Sequence, residues 1–75
     1  MVESYISLAA MDTLLHEAGG KRVSIAAKEV LRDALEKNCQ KIGQLAMTFA
    51  RHAGRSTIRK EDILLAINQI DNRDS

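Results

Sequence analysis

Apolar residues recur at three- and four-residue steps through three stretches of the chain, the period of a helix with one buried face. The first stretch runs from about Ser7 to Ala18, with Leu8, Met11, Leu14, Leu15 and Ala18 on one side. Gly19-Gly20 stops it, because glycine accepts the left-handed conformation in which helices end. Ser24 is the expected N-cap of a second helix from about Ile25 to His52. No proline interrupts that stretch, and Gly43 is its one weak point. Its core stripe is Leu31, Leu35, Ile42, Leu45, Ala46 and Phe49, widened by Ala27, Val30 and Ala34. Ala53-Gly54 ends it, and Ser56-Thr57-Ile58 is β-prone but too short for a sheet. A third helix is expected from about Lys60 to Ile70, burying Ile63, Ala66, Ile67 and Ile70. Glu61 and Asp62 sit in its first turn, where carboxylates meet the positive end of the helix dipole. The polar tail from Asp71 to Ser75 is expected to fray.

The middle helix is too long for its neighbours. At 1.5 Å per residue it measures roughly 40 Å, and two short flanking helices cover only part of such a rod. Its uncovered apolar face needs a partner, and the simplest one is a second copy of the chain.

Composition agrees with an all-α fold: there is no proline, aromatic residues make up 3%, and Ala, Leu, Glu, Lys and Arg are abundant. The 75 residues imply a single domain, with a core over about 7–70. Cys39 is the only cysteine, so no disulfide framework supports this small core, and a reducing, intracellular setting is expected. No apolar run approaches the roughly 20 residues that span a bilayer. Met1 to Ala10 lacks the basic residues and long apolar core of a secretory signal. These features predict a cytoplasmic protein with no membrane role.

The formal net charge is only +1, so a case for nucleic acid rests on where the charges lie. Lys21 and Arg22 stand in the first loop. Arg51, Arg55, Arg59 and Lys60 cluster around the second, with His52 among them and no acidic residue between 51 and 60. By contrast, Lys28, Glu29, Arg32, Asp33, Glu36, Lys37 and Lys41 read as an ordinary solvated face of mixed sign. A loop of Arg, Ser and Thr next to a helix N-terminus suits phosphate oxygens. The plainer alternative is that basic residues such as Arg51 merely offset the negative C-terminal end of a helix.

Two segments carry a resemblance. Ala18-Gly19-Gly20-Lys21-Arg22-Val23-Ser24 resembles the first loop of archaeal histones. Phe49-Ala50-Arg51-His52-Ala53-Gly54-Arg55-Ser56-Thr57-Ile58-Arg59-Lys60-Glu61-Asp62-Ile63 is similar to their second loop and its flanks, nearly residue for residue. The similarity spans about residues 7–70, and the second segment is the specific one. It implies a histone fold, short helix, long central helix, short helix, forming a handshake dimer in which the long helices cross. It implies that Val23 pairs with Ile58 of the other chain, bringing the two kinds of loop together. Arg22 would then enter the minor groove and Thr57 touch a phosphate, without base-specific contacts. Lys21, Ser56, Arg59 and Lys60 would complete the DNA-binding loops. The resemblance further implies a structural loop ion pair between Arg55 and Asp62. It implies a dimer–dimer interface of Phe49, His52, Asp62 and Leu65, hence tetramers or longer assemblies on double-stranded DNA, chromosome-associated in the cytoplasm.

The chain departs from the family pattern in the first helix. Basic residues usually face DNA there, whereas the candidate DNA-binding residues at those positions of this chain are Thr13, which can give a phosphate one neutral hydrogen bond, and His16, with Asp12 beside them, and the usual early proline is missing. Each lost charge contact weakens binding and flattens its salt dependence by roughly one unit. The chain is therefore expected to be a weak DNA-binding partner at this helix, suited to a heterodimer with a more basic histone paralogue.

No catalytic, metal or cofactor site is expected. Cys39 and His52 lie thirteen residues apart on one helix without a second cysteine, and Gly19-Gly20 is a helix stop rather than a phosphate loop. Cys39, Met11, Met47 and Tyr5 read as core or edge packing. The reading is a histone-like architectural protein that compacts or wraps DNA, and not an enzyme. The alternative is a histone-fold interaction subunit that heterodimerises in a transcription or repair complex. Low net charge and the first helix favour that alternative, and the intact second loop favours the histone.

Overall fold

The structure, a computed structural model, describes residues 4–73. Three helices follow one another: α1 (Leu8–Glu17), α2 (Ile25–His52) and α3 (Lys60–Arg73). No strand occurs among the described residues. Ser7 and Ala18 cap α1 rather than belonging to it: the Ser7 hydroxyl accepts from the Ala10 N–H at 3.1 Å. Ser24 does the same for α2, accepting from the Ala27 N–H at 3.1 Å. α3 continues three residues beyond the expected stop at Ile70. No glycine or proline interrupts Asp71-Asn72-Arg73, so the helical hydrogen bonding continues. The rest of the expected tail, residues 74–75, lies outside the described residues.

The chain divides within α2 into two compact units, Met1–Lys37 and Asn38–Ser75. In the first, α1 runs antiparallel to the beginning of α2, and Met11 is its buried centre, 2% exposed. Two polar ties join the helices. Asp12 meets Lys28 at 3.1 Å. Glu36 Oε2 accepts the Tyr5 N–H at 2.5 Å and the Ile6 N–H at 2.7 Å. The expectation that Lys28, Arg32 and Glu36 lie on a solvated face is therefore corrected: all three are half-buried, and two of them hold α1 or its approach in place. Those amides hold the Glu36 carboxyl below its usual range, the Ile6 bond contributing most.

In the second unit the wholly buried apolar side chains are Ala46, Ala50 and Ala66. Alanine at this seam lets the backbones of α2 and α3 approach closely, and a groove between them is lined by Lys41, Gln44, Leu45, Thr48 and Ile70.

Much of the predicted core stripe stays uncovered in the single chain. Val30 is 70% exposed, and Leu35, Leu14 and Ile67 are exposed as well. Ala27 and Ala34 also face solvent. Two further expectations are corrected: Cys39 is exposed rather than a core residue, and Tyr5 lies open rather than packed. The exposure of Cys39 follows from the lack of apolar surface within one short chain to cover a helix of 28 residues.

Candidate nucleic-acid interface

The second loop starts where α2 ends. Gly54 has φ +75°, its N–H donates to the Arg51 carbonyl at 2.9 Å, and the Arg55 N–H reaches the Ala50 carbonyl at 2.9 Å. This paired ending, a Schellman motif, satisfies the last carbonyls of the helix and turns the chain sharply. It aims Arg55 at α3. Arg55 Nη1 donates to Asp62 Oδ2 at 2.8 Å, Nη2 donates to Oδ1 at 3.1 Å, and Nη1 also reaches the Thr57 carbonyl at 3.0 Å. The forked guanidinium thus ties both ends of the loop to one carboxylate.

Asp62 has a second task. It is the third residue of α3, and its Oδ2 accepts the Arg59 N–H at 2.8 Å, half of a capping box. The residue is 2% exposed. The Arg55 bonds, followed by the Arg59 amide, bring its pKa down to about 2. The same pairing pushes the Arg55 guanidinium up.

With Asp62 occupied, Arg51, Arg59 and Lys60 pair with no carboxylate among the described residues. Together with Ser56 and Thr57 they are exposed. The loop therefore offers three unneutralised cations, two neighbouring hydroxyls and the start of α3, a surface suited to phosphate oxygens.

The first loop repeats the helix ending. Gly19 has φ +109°, its N–H donates to the His16 carbonyl at 3.0 Å, and the Gly20 N–H to the Leu15 carbonyl at 3.0 Å. A Cβ on Gly20 would lie 3.2 Å from the Leu15 carbonyl oxygen, so the turn is also tight there. Lys21 and Arg22 follow, exposed and unpaired among the described residues.

The outer side of α1 is different. Thr13 donates its hydroxyl proton to the Ala9 carbonyl at 3.1 Å, leaving only lone pairs facing out. This corrects the idea that Thr13 has a hydrogen bond to give a phosphate. His16 Nδ1 lies 2.7 Å from the Asp12 carbonyl and 3.4 Å from the Asp12 carboxylate. Asp12, Thr13, His16 and Glu17 line one open groove.

Of the remaining candidates, Phe49 is half-buried, Leu65 is 52% exposed, and His52 is exposed in a shallow groove with Thr48 and Arg51. Asp62 turns inward to Arg55. No group of three or more metal-ligating side chains gathers among the described residues. No helix there is long and apolar enough to cross a membrane.

Residues 5–67 match the family described as "Histone-like transcription factor (CBF/NF-Y) and archaeal histone". The chain belongs to this histone-fold family. It is 42% identical over 62 residues to a subunit of the archaeal histone HAN1 of Thermococcus zilligii, covering 83% of this chain and 92% of that relative. It is 37% identical over 54 residues to "Probable archaeal histone 3" of Methanocaldococcus jannaschii, covering 72% and 81%. The order of α1, α2 and α3, short, long and short, is that of the histone fold.

Three structural contributors lie outside the sequence reading above, one of them with a signal in the sequence. Asp62 as an amide cap had a usable signal, an acidic residue at the third helical position. The Asp12–Lys28 tie joins residues sixteen apart across a turn, which no local pattern encodes. The same holds for Glu36, which reaches amides thirty and thirty-one positions away.

Proposed function

We propose that this chain is a histone-like architectural protein that dimerises and binds double-stranded DNA through backbone and minor-groove contacts without base specificity. The observation that carries the reading is the second loop, where Asp62 binds Arg55 and Arg51, Arg59 and Lys60 have no acidic partner among the described residues. The relatives' names, both archaeal histones, support it.

In this reading residues 1–75 are one histone-fold domain, and a second copy covers the exposed apolar residues Ile25, Val30, Leu35 and Ile58 in a handshake dimer. Lys21, Arg22, Ser56, Thr57, Arg59 and Lys60 hold phosphates, with Arg22 at the minor groove and Thr57 beside it. Arg55 and Asp62 act structurally. Phe49, His52 and Leu65 join dimers into tetramers or longer assemblies on the chromosome. Asp62 has one carboxylate lone pair left for such a contact, since its two oxygens already accept three hydrogen bonds.

A second reading, heterodimerisation with a more basic histone-fold chain, is favoured by α1, whose outer groove holds Asp12 and Glu17 and presents no permanent positive charge. The relative named as a subunit accords with it. Titration of linear duplex DNA at low and physiological salt tests the first reading, with Arg22→Ala alongside. Saturable binding that weakens with salt and in the variant supports it. A folded homodimer that does not bind at low salt refutes it and leaves the second.

A further inference from the structure

Leu31, Leu35, Asn38, Ile42, Leu45 and Phe49 follow one another along α2 at alternating steps of four and three. Those steps keep them on one stripe of the helix, with the spacing by which two helices pack side by side. All are apolar except Asn38. Its place is central, with thirteen residues of α2 before it and fourteen after. Every residue from Lys37 to Lys41 is exposed, so neither α1 nor α3 covers this turn of the helix. On the same side Ala27, Val30, Ala34 and Leu35 are exposed too, which is the apolar surface that a second copy has to cover. Asparagine is a weak helix former and adds nothing to an apolar seam, so its position at the middle of the stripe asks for a reason.

We propose that Asn38 is the pairing determinant of the dimer: the Asn38 amides of two copies meet where their α2 helices cross and hydrogen-bond to each other. This rests on the handshake-dimer reading above. Two copies related by a twofold axis present the same patch to one another, so a residue on the axis meets itself. A side-chain amide carries both N–H donors and a carbonyl acceptor, so asparagine satisfies its own copy where lysine or glutamate would repel it. The apolar positions alone do not fix how the two helices are aligned. Slipped by one turn, each amide would face Leu35 or Ile42 of the other helix and lose its bond, leaving a buried polar group unpaired. A single asparagine in an apolar seam thus sets register and partner at some cost in stability. The same penalty falls on any partner chain with an apolar residue at this point, so the occupant that the amide favours is a second copy.

The experiment mixes two whole chains in equal amounts, one of them isotopically labelled, anneals them and counts the dimers by native mass spectrometry. Chains that pair without preference give as many hybrids as the two pure dimers together. For the natural chain with Asn38→Leu, hybrids are expected to fall to about a quarter of all dimers or less, because each hybrid buries one amide without a partner. Asn38→Asp and Asn38→Lys should each dimerise less well than the natural chain, since like charges meet at the crossing, and together they should give mainly hybrids. Gln40 is the control, because it is also exposed but lies two residues along, on the far side of α2. Gln40→Asp and Gln40→Lys should mix without preference. Hybrids at the unbiased share in either Asn38 mixture, or an equal bias in the Gln40 mixture, overturn the proposal while leaving the dimer intact. A folded natural chain that stays monomeric overturns both the proposal and the handshake reading.

Discussion

The loops after α1 and α2 begin with the same glycine-based helix ending and go on to basic residues, yet the carboxylates beside them are used in opposite ways. Next to the second loop, Asp62 is 2% exposed and satisfied by Arg55 and the Arg59 amide. Its charge is consumed internally, and Arg51, Arg59 and Lys60 have no ion-pair partner among the described residues. Next to the first, Asp12 lies at the α1 surface and engages both Lys28 and His16. There the carboxylate offsets Lys28 of α2, and Lys21 and Arg22 of the loop itself have no ion pair among the described residues. Net charge does not distinguish these cases; the position of one acidic side chain relative to its loop does.

The largest expected effect comes from removing the internal carboxylate. Asp62→Ala leaves Arg55 without its partner and uncaps the Arg59 amide, and should lower Tm by on the order of 10 °C. Circular dichroism melting checks this, with Asp12→Ala as the comparison; equal losses would mean that the two carboxylates are equivalent. Asp62 also has a pH signature. Its folded pKa is about 2 against an ordinary value of 3.8. A depressed acid stabilises fully above its unfolded pKa, and the contribution is lost as pH falls through the folded one. Stability should therefore decline between about pH 4 and pH 2, and Asp62→Asn should remove that part of the decline.

Next in size are the glycines. Gly54→Ala places a side chain at φ +75° with no atom in its way, so the penalty is backbone strain alone, about 1–2 kcal/mol. Gly19→Ala, at φ +109°, should destabilise by at least as much. Folded Gly54→Ala should lose more DNA affinity than folded Gly19→Ala, because the second loop carries more unpaired charge. The reverse order would break the comparison.

Smallest is Glu36→Ala, with a fall in Tm below about 5 °C. Hydrogen exchange at the Tyr5 and Ile6 amides should accelerate, since their common acceptor is gone. An unchanged exchange rate there would contradict the tie.

The sequence was informative where structure is local. Both ends of α2 follow from Ser24 and Gly54, and the start of α3 from the acidic residues at its first turn. The end of α3 is less legible: polar Asp71, Asn72 and Arg73 suggest a tail, while nothing in them breaks a helix. The basic loops could be read from charge spacing, but the Arg55–Asp62 pair came only through resemblance to a known family. The ties made by Lys28 and Glu36 depend on how α1 lies against α2, and helix periodicity specifies a buried face without specifying which polar residue meets which.

The central claim is that unpaired loop cations bind the DNA backbone. Its most direct test is the slope of log affinity against log salt on a random-sequence duplex, measured for the natural chain and for Arg59→Ala. A steep negative slope is expected, shallower by roughly 0.9 for each removed contact and equally so on unrelated sequences. A slope near zero, or one unchanged in the variant, would contradict it.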